Sequence, residues 1–526
     1  MVGGTMFGNT WNRLVFLSGI LVLVMNATAT GEAQSPPGEI PGTIVVQSDT
    51  VSRTRVGQDS RQVYGAPADS SWIVIMGANE KKKLDSLGQG GLSFSRDRTR
   101  VAYIASDRKT QFLVVDGEEG TRYDRIASTN LMFSPDGRHV GYIAKEGNKE
   151  FAVVDGKEGK KYDTIGETIS LFSPDSRHVA YVATSGQQQC VVVDGKEGKR
   201  YDSIGRAGVL FSPDSRHVAY EAATVDKHFV VVDQEEQTQY QRVEHGSLVF
   251  SPDGKRVAYT AEADNKRFVV IDGKEGKRYR RIAGGPVFSP DSARVAYGAR
   301  TGSTWSVVVN GKEGPRHQSL GTGSPVFSPD SKHVAYVAES GDKQYVVVDE
   351  KEENRYDRLD ERGPLFSPDS KRVAYAATAG RKQLVVVDGK EGKKYDTVAA
   401  GTLIFSPDSK HVAYVAEAGN KRFVVLDGQA EKAYGRIGAG GPIFSPDSTQ
   451  VAYIAEEGDQ WFVVVNGKEG KRYSGTATLE GAKMVSGSFE SLSCFCIGDS
   501  GMYLVEVKAA SLQAPSPQNN MGSLLP

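Results

Sequence analysis

The chain has 526 residues, 64 Lys and Arg against 65 Asp and Glu, and 39% apolar side chains. That balance excludes a basic nucleic-acid binder, which needs excess Lys and Arg to displace phosphate counterions. Abundant Val, Ile, Phe and Tyr exclude a wholly disordered chain, and three cysteines exclude a disulfide framework.

Residues 1–29 read as a signal peptide. Arg13 precedes an apolar run of 12 residues over 14–25, short of the roughly 20 that span a bilayer. Ala27-Thr28-Ala29 then offers a cleavage pattern. Cleavage is expected after Ala29, with Ala33 as the second choice and an uncleaved anchor as the alternative. The mature chain is therefore expected to be exported, periplasmic or extracellular, with no membrane span. Residues 30–54, rich in Gly, Pro, Ser and Thr, read as a linker.

A repeat occupies residues 55–508. Phe-Ser-Pro-Asp, once Phe-Ser-Arg-Asp, begins at Phe94, Phe133, Phe172, Phe211, Phe250, Phe288, Phe327, Phe366, Phe405 and Phe444. The spacing is 39 residues, with a single 38 between Phe250 and Phe288. A period near 40 signals repeat architecture. Worn copies flank these ten, one over 56–77 and one beginning at Phe489, for twelve units in all.

Each unit predicts four short strands. The first ends at the Phe. Ser-Pro-Asp-Ser/Gly makes a turn, with Pro presetting φ and Asp bonding nearby amides. The second strand is H/R-V-A-Y-x-A, whose Ala suggests close approach of a neighbouring sheet. The third, F-V-V-V-D/N, is a β-branched run buried on both faces. Asp-Gly-Lys-Glu-Gly-Lys follows as a hairpin, and K-x-Y-D-x-I as a polar outer strand. Helical periodicity is missing. Sheets apolar on both faces must stack on copies of themselves, and radial stacking leaves only short edges, as in a β-propeller.

The motif F-S-P-D-G/S-x-x-V-A-Y resembles the hallmark of WD-repeat-like propellers of the TolB type. The resemblance covers about 55–508 and implies an all-β propeller fold; it says little about function. The α/β domain that precedes the propeller in TolB has no counterpart in this sequence. Propellers typically have four to eight blades, so twelve units predict two six-bladed rings. The 38-residue spacing and the Pro two positions before the Phe (Pro286, Pro325, Pro364, Pro442) place the boundary near Ala283-Gly284-Gly285. The expected domains are 55–284 and 285–508, with one large ring as the alternative. Residues 509–526 read as a loose tail.

Motifs that carry chemistry are mostly missing. The sequence has no G-x-S-x-G, phosphate-binding glycine loop or H-E-x-x-H. No catalytic, cofactor or metal site is predicted. His139, His178, His217, His333 and His411 share one position, where other units hold Arg, and read as partly exposed polar residues rather than zinc ligands. The Lys-Glu-Gly-Lys turns read as solvated rather than calcium-binding. Cys190 replaces a core Phe, Trp72 reads as core, and Cys494 and Cys496 are spaced too far for a disulfide along one strand.

The position before the third strand's core Phe is polar in most units but is Trp305 and Trp461 in two. These are the candidate partner-binding residues, because Trp is favoured at binding hot spots. Local packing is the competing explanation. The expected function is an exported non-enzymatic scaffold that binds a protein partner. The alternatives are an envelope hydrolase or lyase acting on glycans or peptides at a propeller axis, and a structural spacer.

Overall fold

The computed structural model describes backbone within residues 52–508 and side chains within 93–472, with short internal gaps. The expected signal peptide, most of the linker, the tail, and the side chains of Trp72, Cys494 and Cys496 lie outside the described residues. The first strand begins at Ser52, so the end of the expected linker is already sheet.

Every repeat builds an antiparallel meander, named here by its Phe. The Phe211 sheet runs Ser203–Phe211, Val218–Thr224, Lys227–Val232 and Glu235–Glu236, each strand beside the next in sequence. Ten such sheets follow one another, and an eleventh, seven-stranded sheet joins both ends of the repeat region. In it, Ser52–Val56 pairs parallel to Gly501–Lys508. The two worn copies therefore share one sheet.

Local chemistry explains the turns. The Asp-Gly pair after the third strand takes positive φ at both residues, 48° at Asp155 and 75° at Gly156, the backbone of a two-residue hairpin matched to strand twist. In the Phe327 unit, buried Ser328 donates its Oγ hydrogen to Asp330 Oδ1 at 2.6 Å and accepts the His333 amide at 2.9 Å. Asp330 Oδ1 also accepts the Lys332 amide at 3.0 Å. These bonds hold Asp330 below the usual carboxylate range.

The same motif ties each sheet to the next. The Asp330 amide donates to Ser370 Oγ in the Phe366 sheet at 2.9 Å. His333 is bonded through Nδ1 to Asp349 at 2.5 Å, and its ring stacks on Phe366 at 6.5 Å. Where the unit has Arg, the guanidinium takes over: Arg372 pairs with Asp388 at 2.9 Å, lies 5.4 Å from the Phe405 ring centroid and donates to the Lys410 carbonyl. The shared His/Arg position is thus a clamp between sheets. The Lys-Glu turns also reach across, as Lys277–Glu313 at 2.7 Å and Tyr123 Oη–Glu158 at 3.0 Å show.

Apolar packing follows one rule. Ala335, Val337 and Val346 of the Phe327 sheet cluster with Tyr356, Leu359, Phe366 and Tyr375 on the Phe366 side. Full burial of each such aliphatic side chain contributes about 2 kcal/mol. Ala335, Ala374 and Ala413 are fully buried, in keeping with the close approach expected there. The interface at the expected domain boundary is built alike, with Ala258 and Val269 clustered against Tyr279, Ile282 and Phe288.

One strand assignment is corrected. K-x-Y-D-x-I is not a single outer strand, because the chain changes sheets at the Asp. Tyr162 still bridges Glu150 in its own sheet, but Thr164–Ile165 pairs with Ala183 and Thr184 of the next. Asp163 marks the crossing, its carboxylate accepting the Gly186 amide at 2.7 Å.

Candidate functional site

The repeat itself locates the site, because equivalent positions can be compared along the chain. In V-A-Y-x-A the fourth position is Ile104, Ile143, Val182, Glu221, Thr260, Gly298, Val337, Ala376, Val415 and Ile454. Glu221 is the sole charged residue among the ten. Alternation along the strand turns it to the face that meets the next sheet, between Ala219 and Val230 on one side and Val243 on the other. It is 8% exposed.

Removing a carboxylate from water costs several kcal/mol unless donors compensate. Here a loop of the Phe250 unit supplies two. His245 Nδ1 lies 3.2 Å from Glu221 Oε2, and the Gly246 amide donates to Oε1 at 3.0 Å. Gly205 makes room: a Cβ there would lie 2.7 Å from Oε2. Glu221 and His245 line a cavity of about 200 Å³ together with Ser203, His228 and Arg242.

The opposite face of the same sheet carries a second cavity, of about 290 Å³. Its walls include His178 and Asp194 of the Phe172 sheet, and Phe211, Arg216, Asp233 and Gln234 of the Phe211 sheet. Gln234 stands where eight of the ten hairpins have Gly and the other exception has Glu350. It holds φ at 71°, a conformation a non-glycine side chain adopts at a cost of about 1 kcal/mol or more. At the tip of the sheet, Val225 is 88% exposed. Departures from the repeat therefore gather on both faces and two hairpins of a single sheet.

The expected Trp sites separate. Trp461 is fully buried, which corrects its reading as a surface anchor. Tyr473–Ser474 pairs with Gln460–Trp461, as His317 bridges Trp305. Trp305 is half-buried, with the Arg300 guanidinium 5.9 Å from its ring centroid. In other units this position is a connector: Gln111, Gln189, Gln344 and Gln383 each accept a first-strand amide of the next unit at 2.7 Å. Cys190 is buried in the core place of the Phe, as expected.

A further departure lies in the unit of Trp305. His317 replaces the Tyr of K-x-Y and is buried between Tyr345 Oη at 2.8 Å and Tyr336 Oη at 3.0 Å. Burial pushes its pKa below the ordinary value of 6.5. Among the described residues no group of three or more His, Cys, Asp or Glu is placed to hold a metal ion. Sequence reasoning missed Glu221, His245, Gln234 and His317. All but His245, which lies in a variable loop, were detectable as exceptions in the column of ten copies.

No family model matches this sequence, and no curated protein matches it. Similar solved structures include a eukaryotic initiation factor, with TM-score 0.34 and 12% identity over 70% of this chain and 96% of that one. TolB from Acinetobacter baumannii aligns at TM-score 0.22 and 17% identity, over 48% and 77%. The β-propeller domain of Myceliophteria thermophila Cps50 (Swd1) aligns at 0.24 and 11%, over 52% and 95%. At these scores the likeness carries no argument about arrangement or activity; the repeated four-stranded sheets themselves define the fold.

Proposed function

We propose that the chain is an exported, non-enzymatic propeller scaffold that binds a protein partner outside the cytoplasm. The observation that carries this reading is the gathering of irregular positions on the Phe211 sheet. Elsewhere the repeated polar side chains are engaged in joining one sheet to the next, as Ser328, Asp330, His333 and Asp349 do. Among the described residues, the Phe211 sheet breaks the repeat with side chains that the fold does not require. Val225, exposed at a hairpin tip beside Asp226 and Lys227, offers an apolar contact with a polar rim, the anatomy of a small interface. Trp305 remains a partner-binding candidate, and Trp461 does not. Val225→Asp should abolish capture of the partner from envelope extract at unchanged melting temperature. Undiminished capture by both Val225→Asp and Trp305→Ala overturns the reading.

We favour one closed ring over two six-bladed ones. The Phe250 and Phe288 sheets pack like other neighbours, Arg281–Phe288 runs through the expected boundary as one strand, and the first and last strands share a sheet. Limited proteolysis tests this. Two rings predict a stable half of the chain after a cut near residue 285, and one ring predicts none.

The hydrolase or lyase reading keeps one support. A histidine whose Nδ1 is held by a carboxylate is poised as a base, and Ser203 lines the same cavity as His245. No hydrogen bond joins Ser203 to His245 in this structure, so the pair is not assembled for attack. Labelling of Ser203 by a fluorophosphonate probe, lost in His245→Ala, would revive that reading.

A further inference from the structure

We propose that the cavity between the Phe211 and Phe250 sheets binds a compact zwitterion, of the class of small α-amino acids. This site is separate from the partner surface and does not rest on it.

The cavity has a buried acidic floor and basic walls. Glu221 is the floor. An ionised carboxylate has about four acceptor sites, and the protein fills two, from His245 and Gly246. The remaining capacity faces a space lined by His228 and Arg242. Neither of those side chains forms a hydrogen bond or ion pair with another described residue. At the equivalent place Arg358 pairs with Glu361 at 2.8 Å and Arg436 lies 3.7 Å from Glu456, whereas Arg281 resembles Arg242 in having no side-chain partner among the described residues; what sets Arg242 apart is the buried Glu221 in the same cavity.

Charge and size then define the ligand. A cation alone would satisfy Glu221 but confront Arg242. An anion alone would satisfy Arg242 but confront Glu221. A molecule with an ammonium and a carboxylate a few ångströms apart satisfies both, the ammonium donating to Glu221 and the carboxylate accepting from Arg242 and His228. The volume, about 200 Å³, lies below the roughly 300–1,000 Å³ of drug-sized sites and suits a compact molecule. The sheet interface gains nothing from Glu221, since Val182 and Val337 fill the same place elsewhere. Gly321 lies against Val337 as Gly205 lies against Glu221.

The test is calorimetry and thermal shift on the full chain with glycine, L-alanine and L-serine, and with ethylamine and acetate as half-ligands. At least one amino acid should raise the melting temperature and bind at millimolar concentration or tighter, with either half-ligand at least ten-fold weaker. Glu221→Val, which restores the repeat, should keep or raise the unliganded melting temperature and lose the ligand shift. Glu221→Gln covers the case in which the Val variant misfolds, and should also lose it. Arg242→Ser, with the residue found at Ser203 and Ser319, should weaken binding at least ten-fold. No shift with any amino acid at 10-fold excess over millimolar, equal binding of a half-ligand, or unchanged binding in the Gln and Ser variants would each overturn the assignment.

Discussion

The Phe366 and Phe211 sheets share a topology and differ in what their side chains do. In the Phe366 sheet, Ser367, Asp369, Arg372 and Asp388 bond to one another and to the next sheet, and the position equivalent to Glu221 is Ala376. In the Phe211 sheet, Asp214 has no Ser to bond in the next turn, because Gly254 stands there with its hypothetical Cβ 2.4 Å from Asp214 Oδ1. The same sheet has a carboxylate on one face, a strained Gln on its hairpin and a cavity on either side. A repeat that closes its turn Ser, Asp and Arg groups on its neighbour leaves few of them for a ligand, so function is expected where closure fails.

The sharpest break in that contrast is a pair of tryptophans in one slot. Trp461 is wholly enclosed, so Trp461→Ala should cost about 4 kcal/mol through lost burial and cavity formation. Trp305 is half-buried, and Trp305→Ala should cost less than about 1 kcal/mol. Urea unfolding of both variants checks the ordering. Equal losses would mean that the two positions pack alike.

Glu221→Val carries the contrast to the site itself. Replacing a buried charge by a well-packed apolar group is often stabilising by about 1–4 kcal/mol, and the Gly321–Val337 contact shows that the backbone accommodates valine. A gain of about 1–2 kcal/mol is expected on that scale. A loss would make Glu221 part of the fold and remove the reason to regard the sheet as exceptional.

His317 tests a different exception. Its folded pKa lies below the unfolded value near 6.5 because burial disfavours the charged ring. The unfolded chain therefore takes up the proton first, and stability is full above about pH 6.5 and falls as the pH drops below it. His317→Tyr restores the repeat and should flatten that stretch of the profile. Chemical denaturation between about pH 5.5 and 7.5, one unit either side of an imidazole's ordinary value, reads the difference. An unchanged slope would assign the acid sensitivity to other groups.

How much could be read from the sequence follows from what each residue needs. The Phe-Ser-Pro-Asp turns, the Asp-Gly hairpins and the buried Val runs were legible because their requirements are local: a φ, a nearby amide, a period of two. The crossing at Asp163 was not, because Y-D-x-I has the same alternation whether or not the chain changes sheets. Trp305 and Trp461 were indistinguishable because they hold one slot and even pair alike, with His317 and Tyr473 twelve residues on, so their difference in exposure has no local signature. Glu221 was visible as an exception in its column, but its meaning needed His245, a loop residue 24 positions away.

The smallest expected effect concerns the turn that joins most sheets. Ser370 holds φ at 66° and accepts the Asp330 amide through Oγ. Ser370→Gly removes that acceptor, which costs about 1 kcal/mol, but relieves a left-handed backbone by a similar amount. The two should cancel to within about 0.5 kcal/mol. Ser370→Ala removes the acceptor and keeps the strain, so it should be the less stable of the pair. If alanine is instead as stable as the unmodified chain, the hydroxyl contributes little to joining the sheets, and the tie between them lies in the His333 and Arg372 clamps and the apolar faces.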